Sequence, residues 1–421
     1  MQIGIYGSGY LATVLSACLA DFGMPVTCFD DDNSRLLTMA QGKVPYFERN
    51  LEEVIRRNIR SGRLVFSTEL EASIRKAQIT FFAQDSPSYV EEVAYKLAHY
   101  APREALLVLV TPVPVGTARR IENRFRESGL NVTVISHPVF LTHGCAVEDF
   151  NWPDRILLGT SSNSAVLTLK QIYRPLVMRG VPVIVTNHET AELVREASTA
   201  FVATKMSFIN ELATLCERVN ADAVDLALAL GLDKKIAPRC LQPGAVFGGA
   251  FVETDMDSLA QLASGHDVPL KILSAAREVN QSLSDRITHK ICEALESTTG
   301  KRVALLGLAF KPNTNSIAGS SSIMLARTLT SKGVQVRAYD PVAMPGAMRE
   351  LESIHYCESA YDAAEGADAL VVGTGWPEFR ALDFDRIRRM VKRPVIVDTK
   401  NLLDGVRLRS MGFQYLGMGR A

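Results

Sequence analysis

The chain has 421 residues, 22% of them charged, and its 46 acidic and 46 basic side chains leave no formal net charge. This length is too great for one ordinary hydrophobic core and predicts two or three domains. A neutral chain provides no electrostatic attraction to nucleic acid or to an anionic membrane surface, so neither is an expected partner and a small molecule is favoured.

The N-terminal residues MQIGIYGSGY predict a strand that enters a glycine turn, without the basic start and apolar run of a signal peptide. No apolar segment is long enough to span a bilayer, and we therefore expect a cytoplasmic protein. The 7 cysteines are scattered and form no Cys-x-x-Cys pair, so we expect neither a disulfide framework nor a metal site.

The first elements have the spacing of a dinucleotide-binding fingerprint. A strand leads into the glycine turn 7–12, a helix follows, and a second strand over 26–29 ends at Asp30. Gly7 permits the tight turn, Gly9 lets the backbone approach a diphosphate, and the N–H groups at the helix start hold the anion. Asp30 would accept hydrogen bonds from ribose hydroxyls, which favours NAD over NADP. The alternative is a related fold that binds another nucleotide or has lost its ligand.

Further strands, alternating with helices, indicate a doubly wound parallel sheet; they are predicted over 64–66, 79–83, 106–110 and 132–135. Loops that follow the ends of such strands face the ligand crevice. The residues that we expect to bind NAD are therefore Gly7, Gly9, Tyr10, Leu11, Asp30, Ser86, Pro87 and Thr117.

Residues 190–220 have apolar side chains at a spacing close to that of a helix, among them Phe201 and Ile209, and no proline or glycine interrupts them. Thr186 and Glu189 have the spacing of a capping box just before this segment. We expect a long helix that joins two lobes and contributes to a subunit contact, and hence a homodimer. The alternative is an ordinary core helix within one domain.

A glycine-rich loop over 243–249 precedes a second strand-helix-strand pattern, which begins at Val303 and ends at Asp340. Only the N-terminal pattern has the full dinucleotide fingerprint, because Gly307 is not followed by a second close glycine. Lys311 is suited to a ligand phosphate, although a solvated surface lysine fits the sequence equally well.

Short motifs are distributed along the whole chain: GSGYLA, GKVPYFE (42–48), VPVGT (113–117), PDRILLG (153–159), ATKMSFINELATLCE in the central helix, FGG (247–249), LAFKPNT (308–314), AYDP (338–341) and GWPEF (375–379). In this order they resemble the UDP-glucose/GDP-mannose dehydrogenase family. The predicted fold class is α/β, with two Rossmann-like doubly wound parallel-sheet domains joined by a long central helix and a small helical domain. The resemblance implies an NAD-binding domain over 1–189, a helical dimerisation domain over 190–297 and a nucleotide-sugar domain over 298–421.

The family oxidises the primary alcohol of the sugar to a carboxylate in two NAD-dependent steps, through a thiohemiacetal and a thioester on a cysteine. The resemblance places this cysteine at Phe251, and it places the catalytic lysine and asparagine at Arg195 and Thr199. Further family positions, a threonine and two glutamates, correspond to Pro112, Val139 and His143. Loss of a covalent nucleophile costs about a million-fold in rate where catalytic residues act as a unit, so we expect no four-electron oxidation by the usual route.

Two functions remain. The first is a two-electron NAD-dependent oxidoreductase that acts on a nucleotide sugar or a related alcohol, with His143 or Asp255 as proton acceptor. The second is a catalytically inactive paralogue that binds NAD or a sugar nucleotide as a regulatory or scaffold subunit. For either function the expected substrate-binding residues are Arg195, Phe247, Gly248 and Lys311.

Overall fold

The computed structural model describes residues 1–85 and 88–420, with the backbone alone at positions 250 and 251. The chain divides into two compact units, Met1–Ala197 and Ser198–Ala421, which we call the N-terminal unit and the C-terminal unit. The division falls within one long helix, α10 (His188–Val219). No helix in the described part of the chain has both the length and the apolar character that crossing a bilayer requires.

The N-terminal unit is built on one sheet. Its strands, as far as the structure describes them, are β1 (Ile3–Tyr6), β2 (Val26–Phe29), β3 (Leu64–Ser67), β4 (Ile79–Phe82), β5 (Ala105–Leu109), β6 (Val132–Ser136), β7 (Ile156–Gly159) and β8 (Val183–Thr186). They lie in the order β3-β2-β1-β4-β5-β6-β7-β8. Neighbouring strands are parallel except β6 and β7, which meet in an antiparallel pair.

The helices of the N-terminal unit pack on this sheet to form two hydrophobic cores. In chain order they are α1 (Tyr10–Asp21), α2 (Asn33–Ala40), α3 (Leu51–Arg60), α4 (Leu70–Lys76), α5 (Val90–Tyr100), α6 (Thr117–Glu127), α7 (Ala146–Asn151), α8 (Asn163–Ile172) and α9 (Arg174–Val177). Ile3 and Ile5 of β1 belong to one core, whereas Tyr6 belongs to the other. Because successive strand residues point to opposite faces, the unit is doubly wound, as predicted.

The C-terminal unit contains a second sheet, whose described strands are all parallel. They are β9 (Arg302–Leu306), β10 (Gln335–Tyr339), β11 (His355–Tyr356), β12 (Ala369–Val372), β13 (Val395–Asp398) and β14 (Gln414–Gly417), in the order β11-β10-β9-β12-β13-β14. The helices that accompany them are α11 (Ala223–Gly231), α12 (Ala250–Gly265), α13 (Lys271–Leu295), α14 (Ser321–Ser331), α15 (Met344–Glu350), α16 (Ala360–Ala364), α17 (Phe384–Met390) and α18 (Gly405–Ser410). A short 3₁₀ helix spans Pro377–Ala381.

The prediction of two parallel-sheet domains is confirmed. In each sheet the strand order reverses next to the first strand, between β1 and β4 and between β9 and β12. Open α/β sheets bind ligands at such a point, outside the carboxyl ends of the strands. The separate central domain expected over 190–297 stays a prediction.

The long helix α10 is confirmed, but its predicted cap is wrong. The side-chain Oδ1 of Asn187 accepts the backbone N–H of Thr190 at 2.9 Å, so Asn187 caps the helix. The predicted capping box of Thr186 and Glu189 requires Thr186 to be the residue directly before the helix. The helix begins at His188, so this position belongs to Asn187. Glu189 instead pairs with Arg119, at 3.0 Å between carboxylate oxygen and guanidinium nitrogen.

One face of α10 is apolar and uncovered. Ile209 is buried, as the helical spacing predicts, but Phe201 was expected in the same buried stripe and is 70% exposed. Phe208 and Leu215 are 53% and 54% exposed. These three positions are two helical turns apart, so Phe201, Phe208 and Leu215 form one surface, which we call the apolar face of α10.

Candidate nucleotide-binding sites

The turn after β1 has the backbone geometry of a dinucleotide loop. Gly7 has a φ of +135°, and a Cβ atom at this position would lie 2.5 Å from the carbonyl oxygen of Ala83 and 3.1 Å from the Cβ atom of Ala12. Only glycine fits here, because the chain must turn tightly while α1 packs against the sheet. As a result, α1 begins at Tyr10, immediately beyond the carboxyl end of β1.

A carboxylate lies at the start of α1. The backbone N–H of Tyr10 donates to Oδ2 of Asp85 at 2.9 Å, and that of Leu11 donates to Oδ1 at 3.0 Å. A Cβ atom at Gly9 would clash with this carboxylate, so the bare backbone of Gly9 is what admits it. Free N–H groups at a helix start are also the groups that hold a diphosphate. Asp85 lies in a loop that was expected to face the ligand crevice, but it was not among the residues expected to bind NAD. Ser86 and Pro87, which were, lie outside the described residues.

Asp30 directly follows β2, the strand beside β1, where the fingerprint requires an acidic residue. It is half-buried, and its Oδ1 accepts the backbone N–H of Asp31 at 2.6 Å. This position suits recognition of a ribose at the carboxyl ends of the central strands. The role of Asp30 in binding NAD stays a prediction.

Thr117 is the first residue of α6, and its hydroxyl is used within its own loop. It donates to the carbonyl oxygen of Pro114 at 2.6 Å and accepts from the guanidinium of Arg120 at 2.9 Å. The start of α6 is held by Glu192, whose carboxylate accepts the backbone N–H groups of Gly116 at 2.6 Å and of Ala118 at 2.9 Å. Burial raises the pKa of this carboxyl group. Thr117 therefore supports the loop, and its role in binding NAD stays a prediction. Nothing in the sequence indicated that Glu192 holds the start of α6.

The structure brings His143 next to the predicted cofactor residue Tyr10. The two rings are stacked, with centroids 4.0 Å apart and planes at 21°. The phenol of Tyr10 donates to the buried carboxylate of Glu48. The same carboxylate accepts the backbone N–H groups of Gly144 at 2.6 Å and of Ala146 at 3.0 Å. Glu48 thus fixes both Tyr10 and the segment that carries His143.

In the C-terminal unit, an aspartate fills the place that corresponds to the dinucleotide loop. Oδ2 of Asp340 accepts the backbone N–H groups of Leu308 at 2.7 Å and Ala309 at 2.9 Å and the indole N–H of Trp376 at 3.0 Å. Its Oδ1 accepts the N–H groups of Val342 at 3.0 Å and Ala343 at 2.8 Å. Asp340 is 1% exposed. This carboxylate is a structural anchor, which agrees with the incomplete fingerprint after β9.

Two asparagines hold the glycine-rich loop of the C-terminal unit. Asn210 accepts the backbone N–H of Gly244 at 2.8 Å and donates to the carbonyl oxygen of Ala245 at 2.9 Å. Asn280 accepts the N–H of Phe247 at 2.9 Å and donates to its carbonyl oxygen at 3.0 Å. Each side-chain amide thus pairs with the backbone as a neighbouring strand would.

The predicted substrate-binding residues Phe247, Gly248 and Lys311 lie on adjoining loops of this unit. A Cβ atom at Gly248 would lie 2.5 Å from the carbonyl oxygen of Gly319, so the two loops touch through their backbones. The ammonium group of Lys311 lies 5.5 Å from the centroid of the Phe310 ring. The fourth predicted residue, Arg195, is half-buried on α10 in the N-terminal unit.

Asp255 lies on the first turns of α12, just after the glycine-rich loop. It is 4% exposed, and its Oδ2 accepts the hydroxyl of Thr199 at 2.9 Å. The buried carboxylate therefore has a defined orientation in the C-terminal unit. The side chain of Phe251 lies outside the described part of this helix.

One cluster contains the residue types that bind metals. Ligand atoms of His355, Cys357 and Asp362 lie within 4.8 Å of one another. The guanidinium of Arg337 lies 2.5 Å from Oδ1 of Asp362, and burial raises the pKa of the Cys357 thiol to about 11. A cation would have to displace Arg337 and deprotonate the thiol, so the expectation of no metal site stays unchanged as a prediction.

The fold and these loops define a class of protein with two parallel-sheet nucleotide-binding units, the first of which has a dinucleotide turn. Residues 1–177 match the UDP-glucose/GDP-mannose dehydrogenase family, NAD binding domain. Residues 189–282 match the central domain of this family, and residues 304–405 match its UDP binding domain. The chain therefore belongs to the UDP-glucose/GDP-mannose dehydrogenase family.

Individual relatives span the whole chain. The UDP-glucose 6-dehydrogenase of Rhizobium meliloti is 36% identical over 435 residues, covering 100% of both chains. The UDP-glucose 6-dehydrogenase TuaD of Bacillus subtilis is 32% identical over 432 residues, covering 100% of this chain and 93% of the relative. The solved structure of a UDP-glucose dehydrogenase from Pyrobaculum islandicum has a TM-score of 0.91 at 29% identity, covering 100% of this chain and 98% of that one.

The cofactor expected from the sequence is the one that this family domain binds, namely NAD. The backbone around β1 fits its diphosphate, because Gly7 and Gly9 leave the approach bare and the N–H groups of Tyr10 and Leu11 already hold an anion. The C-terminal match to a UDP binding domain indicates a nucleotide-sugar ligand for the second unit.

Proposed function

We propose that this chain oxidises the alcohol of a nucleotide sugar in one two-electron step and does not continue to the carboxylate. The observation that carries the proposal is the buried Asp255, which is oriented by the hydroxyl of Thr199 at 2.9 Å. The second support is the sequence itself, which has Phe251 where the family resemblance places the nucleophilic cysteine.

Oxidation of a primary alcohol to an aldehyde removes one proton and one hydride. NAD, when bound, supplies the acceptor of the hydride. The carboxylate of Asp255 accepts the proton from the hydroxyl, and the bond from Thr199 holds that carboxylate in place. Formation of a thioester from the aldehyde needs a nucleophilic sulfur, which a phenyl ring does not provide. The reaction therefore stops at the aldehyde.

His143 is the other candidate for the proton acceptor. Its ring is stacked on Tyr10, whose backbone N–H lies in the turn that suits the diphosphate. This stacking gives His143 a packing role within the cofactor-binding unit, and we therefore assign the proton transfer to Asp255.

A second candidate function is a catalytically inactive paralogue that acts as a regulatory or scaffold subunit. The position of Asp85 favours it, because a carboxylate already accepts the N–H groups of Tyr10 and Leu11. An anion at this position weakens the binding of a cofactor diphosphate, and a subunit without turnover tolerates that loss.

The test is turnover with a panel of substrates. The purified chain is incubated with NAD and, in turn, UDP-glucose, UDP-N-acetylmannosamine and GDP-mannose; NADH absorbance and product mass are measured. We expect one NADH per sugar and an aldehyde product, and we expect Asp255→Asn to lower kcat by about a hundred-fold. Gly9→Trp is the control that should not bind NAD, because the tryptophan side chain blocks the turn that holds the diphosphate. Two NADH per sugar with an acid product would contradict the proposal, and silence despite measurable NAD binding would favour the inactive paralogue.

Introducing a cysteine at position 251 is a second test of the proposal that the reaction stops at the aldehyde. Phe251→Cys alone should not produce the acid, because Arg195 stays protonated and cannot exchange a proton where the resemblance places the family's lysine. Product mass after overnight incubation with NAD and UDP-glucose is the measurement. Abundant uronate from this single variant would show that the remaining substitutions are catalytically silent.

We also propose that the chain forms a homodimer through the apolar face of α10. Phe201, Phe208 and Leu215 are 70%, 53% and 54% exposed, and a contiguous apolar patch of this kind is typical of an interaction surface. Light scattering on a sizing column should give the mass of a dimer, and Phe208→Glu should give a monomer. Val406→Glu is the matched control, because Val406 is also an apolar residue, 71% exposed, but on a different helix, α18.

A further inference from the structure

The carboxylate of Asp85 lies where the N-terminal unit would hold the diphosphate of NAD. We infer that Asp85 is an internal competitor of the cofactor, whose side chain must turn away from α1 before a dinucleotide binds. The inference rests on the NAD-binding domain alone and does not depend on the reaction proposed above.

The geometry is that of an anion bound at a helix start. Each oxygen of Asp85 accepts one of two consecutive backbone N–H groups, from Tyr10 at 2.9 Å and from Leu11 at 3.0 Å. A phosphate uses the same groups when it binds at the start of a helix. Any side chain at Gly9 would clash with the carboxylate, so the feature that admits a diphosphate here admits Asp85.

This contact is not a local helix cap: like Glu48 and Glu192, Asp85 binds the start of a helix from a distant part of the chain. Asp32, Ser162 and Asp404 cap α2, α8 and α18 from the residue directly before each helix. The residue before α1 is Gly9, which has no side chain that could cap the helix. The capping carboxylate belongs instead to Asp85, which is 75 positions away from Tyr10 in the sequence. The carboxylate thus comes from the loop after β4, the strand beside β1, on the side where ligands of such sheets bind.

Carboxylate and diphosphate cannot use the same two N–H groups at once. Their negative charges also repel at this separation, so a bound diphosphate further disfavours the capping position of Asp85. When only a fraction of a protein is competent to bind, the apparent dissociation constant rises by the inverse of that fraction. The contribution of a helix cap corresponds to about tenfold in an equilibrium constant, which sets the expected size of the effect.

The test is calorimetric titration of the purified full-length chain with NAD and, separately, with inorganic pyrophosphate. Asp85→Ala should bind NAD about tenfold more tightly than the wild type. Asp85→Asn keeps an oxygen that can accept one N–H group but removes the charge, so its gain should be smaller. Asp404→Ala is the matched control, because it also loses a capping carboxylate but in the C-terminal unit, and its NAD affinity should equal that of the wild type.

Unchanged or weaker NAD binding by Asp85→Ala, in a variant whose melting curve shows that it is folded, would overturn the inference. If that variant does not fold, Asp85→Asn decides, since an affinity equal to or below that of the wild type overturns the inference. A solved NAD complex in which Asp85 still accepts both N–H groups would overturn it as well. No sugar is present in these titrations, so their failure is distinct from failure of the proposed oxidation.

Discussion

Both units of this chain place an aspartate against the first two N–H groups after the turn that follows their first strand, yet the two aspartates differ in what surrounds them. Asp340 in the C-terminal unit accepts five N–H groups and is 1% exposed. Asp85 in the N-terminal unit is half-buried, and the bonds described for it come from Tyr10 and Leu11. Asp340 is thus enclosed by its donors, whereas Asp85 is the carboxylate that we infer a cofactor displaces.

The difference follows from what surrounds each carboxylate. In the N-terminal unit, Gly9 has no side chain, so the backbone at the start of α1 is open to an anion. In the C-terminal unit, Trp376 donates its indole N–H to Asp340 and the backbone beyond β10 turns around the same carboxylate. Replacing each aspartate by alanine therefore tests whether the two carboxylates contribute equally to stability.

The largest effect is expected for Asp340→Ala. Five N–H groups, most of them buried, would lose their acceptor, and breaking a buried network around a charge costs about 3–5 kcal/mol of unfolding free energy. Urea unfolding followed by circular dichroism measures the loss. Trp376→Phe, which removes one of the five donors, should cost about 1 kcal/mol. A loss below that value in Asp340→Ala would mean that the carboxylate is not the anchor of this loop.

A second difference between the units is that the N-terminal unit contains buried histidines, from which we expect a different response to acid. Burial lowers the pKa of His137 to about 4, and it also lowers the pKa of His188. Both histidines belong to the N-terminal unit and are nearly inaccessible, whereas those of the C-terminal unit, His266, His289 and His355, are exposed.

In the unfolded chain His137 has a pKa near 6.5, whereas in the folded chain its pKa is about 4. Between these two pH values the unfolded chain therefore binds a proton at His137 and the folded chain does not. Its stabilising contribution is therefore present above about pH 6.5 and is lost as the pH falls toward 4, by about 3 kcal/mol. Unfolding free energies at pH 7 and at pH 4.5 measure this slope. His137→Gln should flatten the slope, and the exposed control His289→Gln should leave it unchanged. Equal slopes in the wild type and His137→Gln would refute the assignment.

The smallest effect is expected for the stability of Asp85→Ala. Loss of one helix cap costs about 1 kcal/mol, well below the loss expected for Asp340→Ala. Urea unfolding of both variants side by side makes the comparison. Lower stability combined with tighter NAD binding is the signature of a displaceable cap. A stability loss as large as that of Asp340→Ala would show that Asp85, like Asp340, is a structural anchor and not a displaceable cap.

The features predicted correctly from the sequence are local ones. Strand runs, the glycine turn and the long helix depend on residues close together in the chain, and the structure has them within a few positions of the predicted bounds. The cap of α10 shows the limit of this reasoning. Asn187 and Thr186 are adjacent, and the side chain of either can cap a helix. Which of them is the cap depends on where the helix begins, and β8 includes Thr186, so the cap falls on Asn187.

The acidic residues that organise the sites could not be predicted in this way. Asp85, Glu48 and Glu192 bind backbone groups between 74 and 98 positions away along the chain. In the sequence each is one acid among 46. Only the packing of helices on the sheet brings them to the N–H groups of α1, α7 and α6. The parallel with Asp340 suggests one usable signal, an acid in the loop that follows a strand beside the strand of a glycine turn.

The apolar face of α10 has a thermodynamic consequence. If a second copy covers Phe201, Phe208 and Leu215, association and folding are linked by mass action. The melting temperature of the wild type would then rise with protein concentration, whereas that of Phe208→Glu would not. Stabilities measured for any variant of this chain would consequently be comparable only at one fixed concentration.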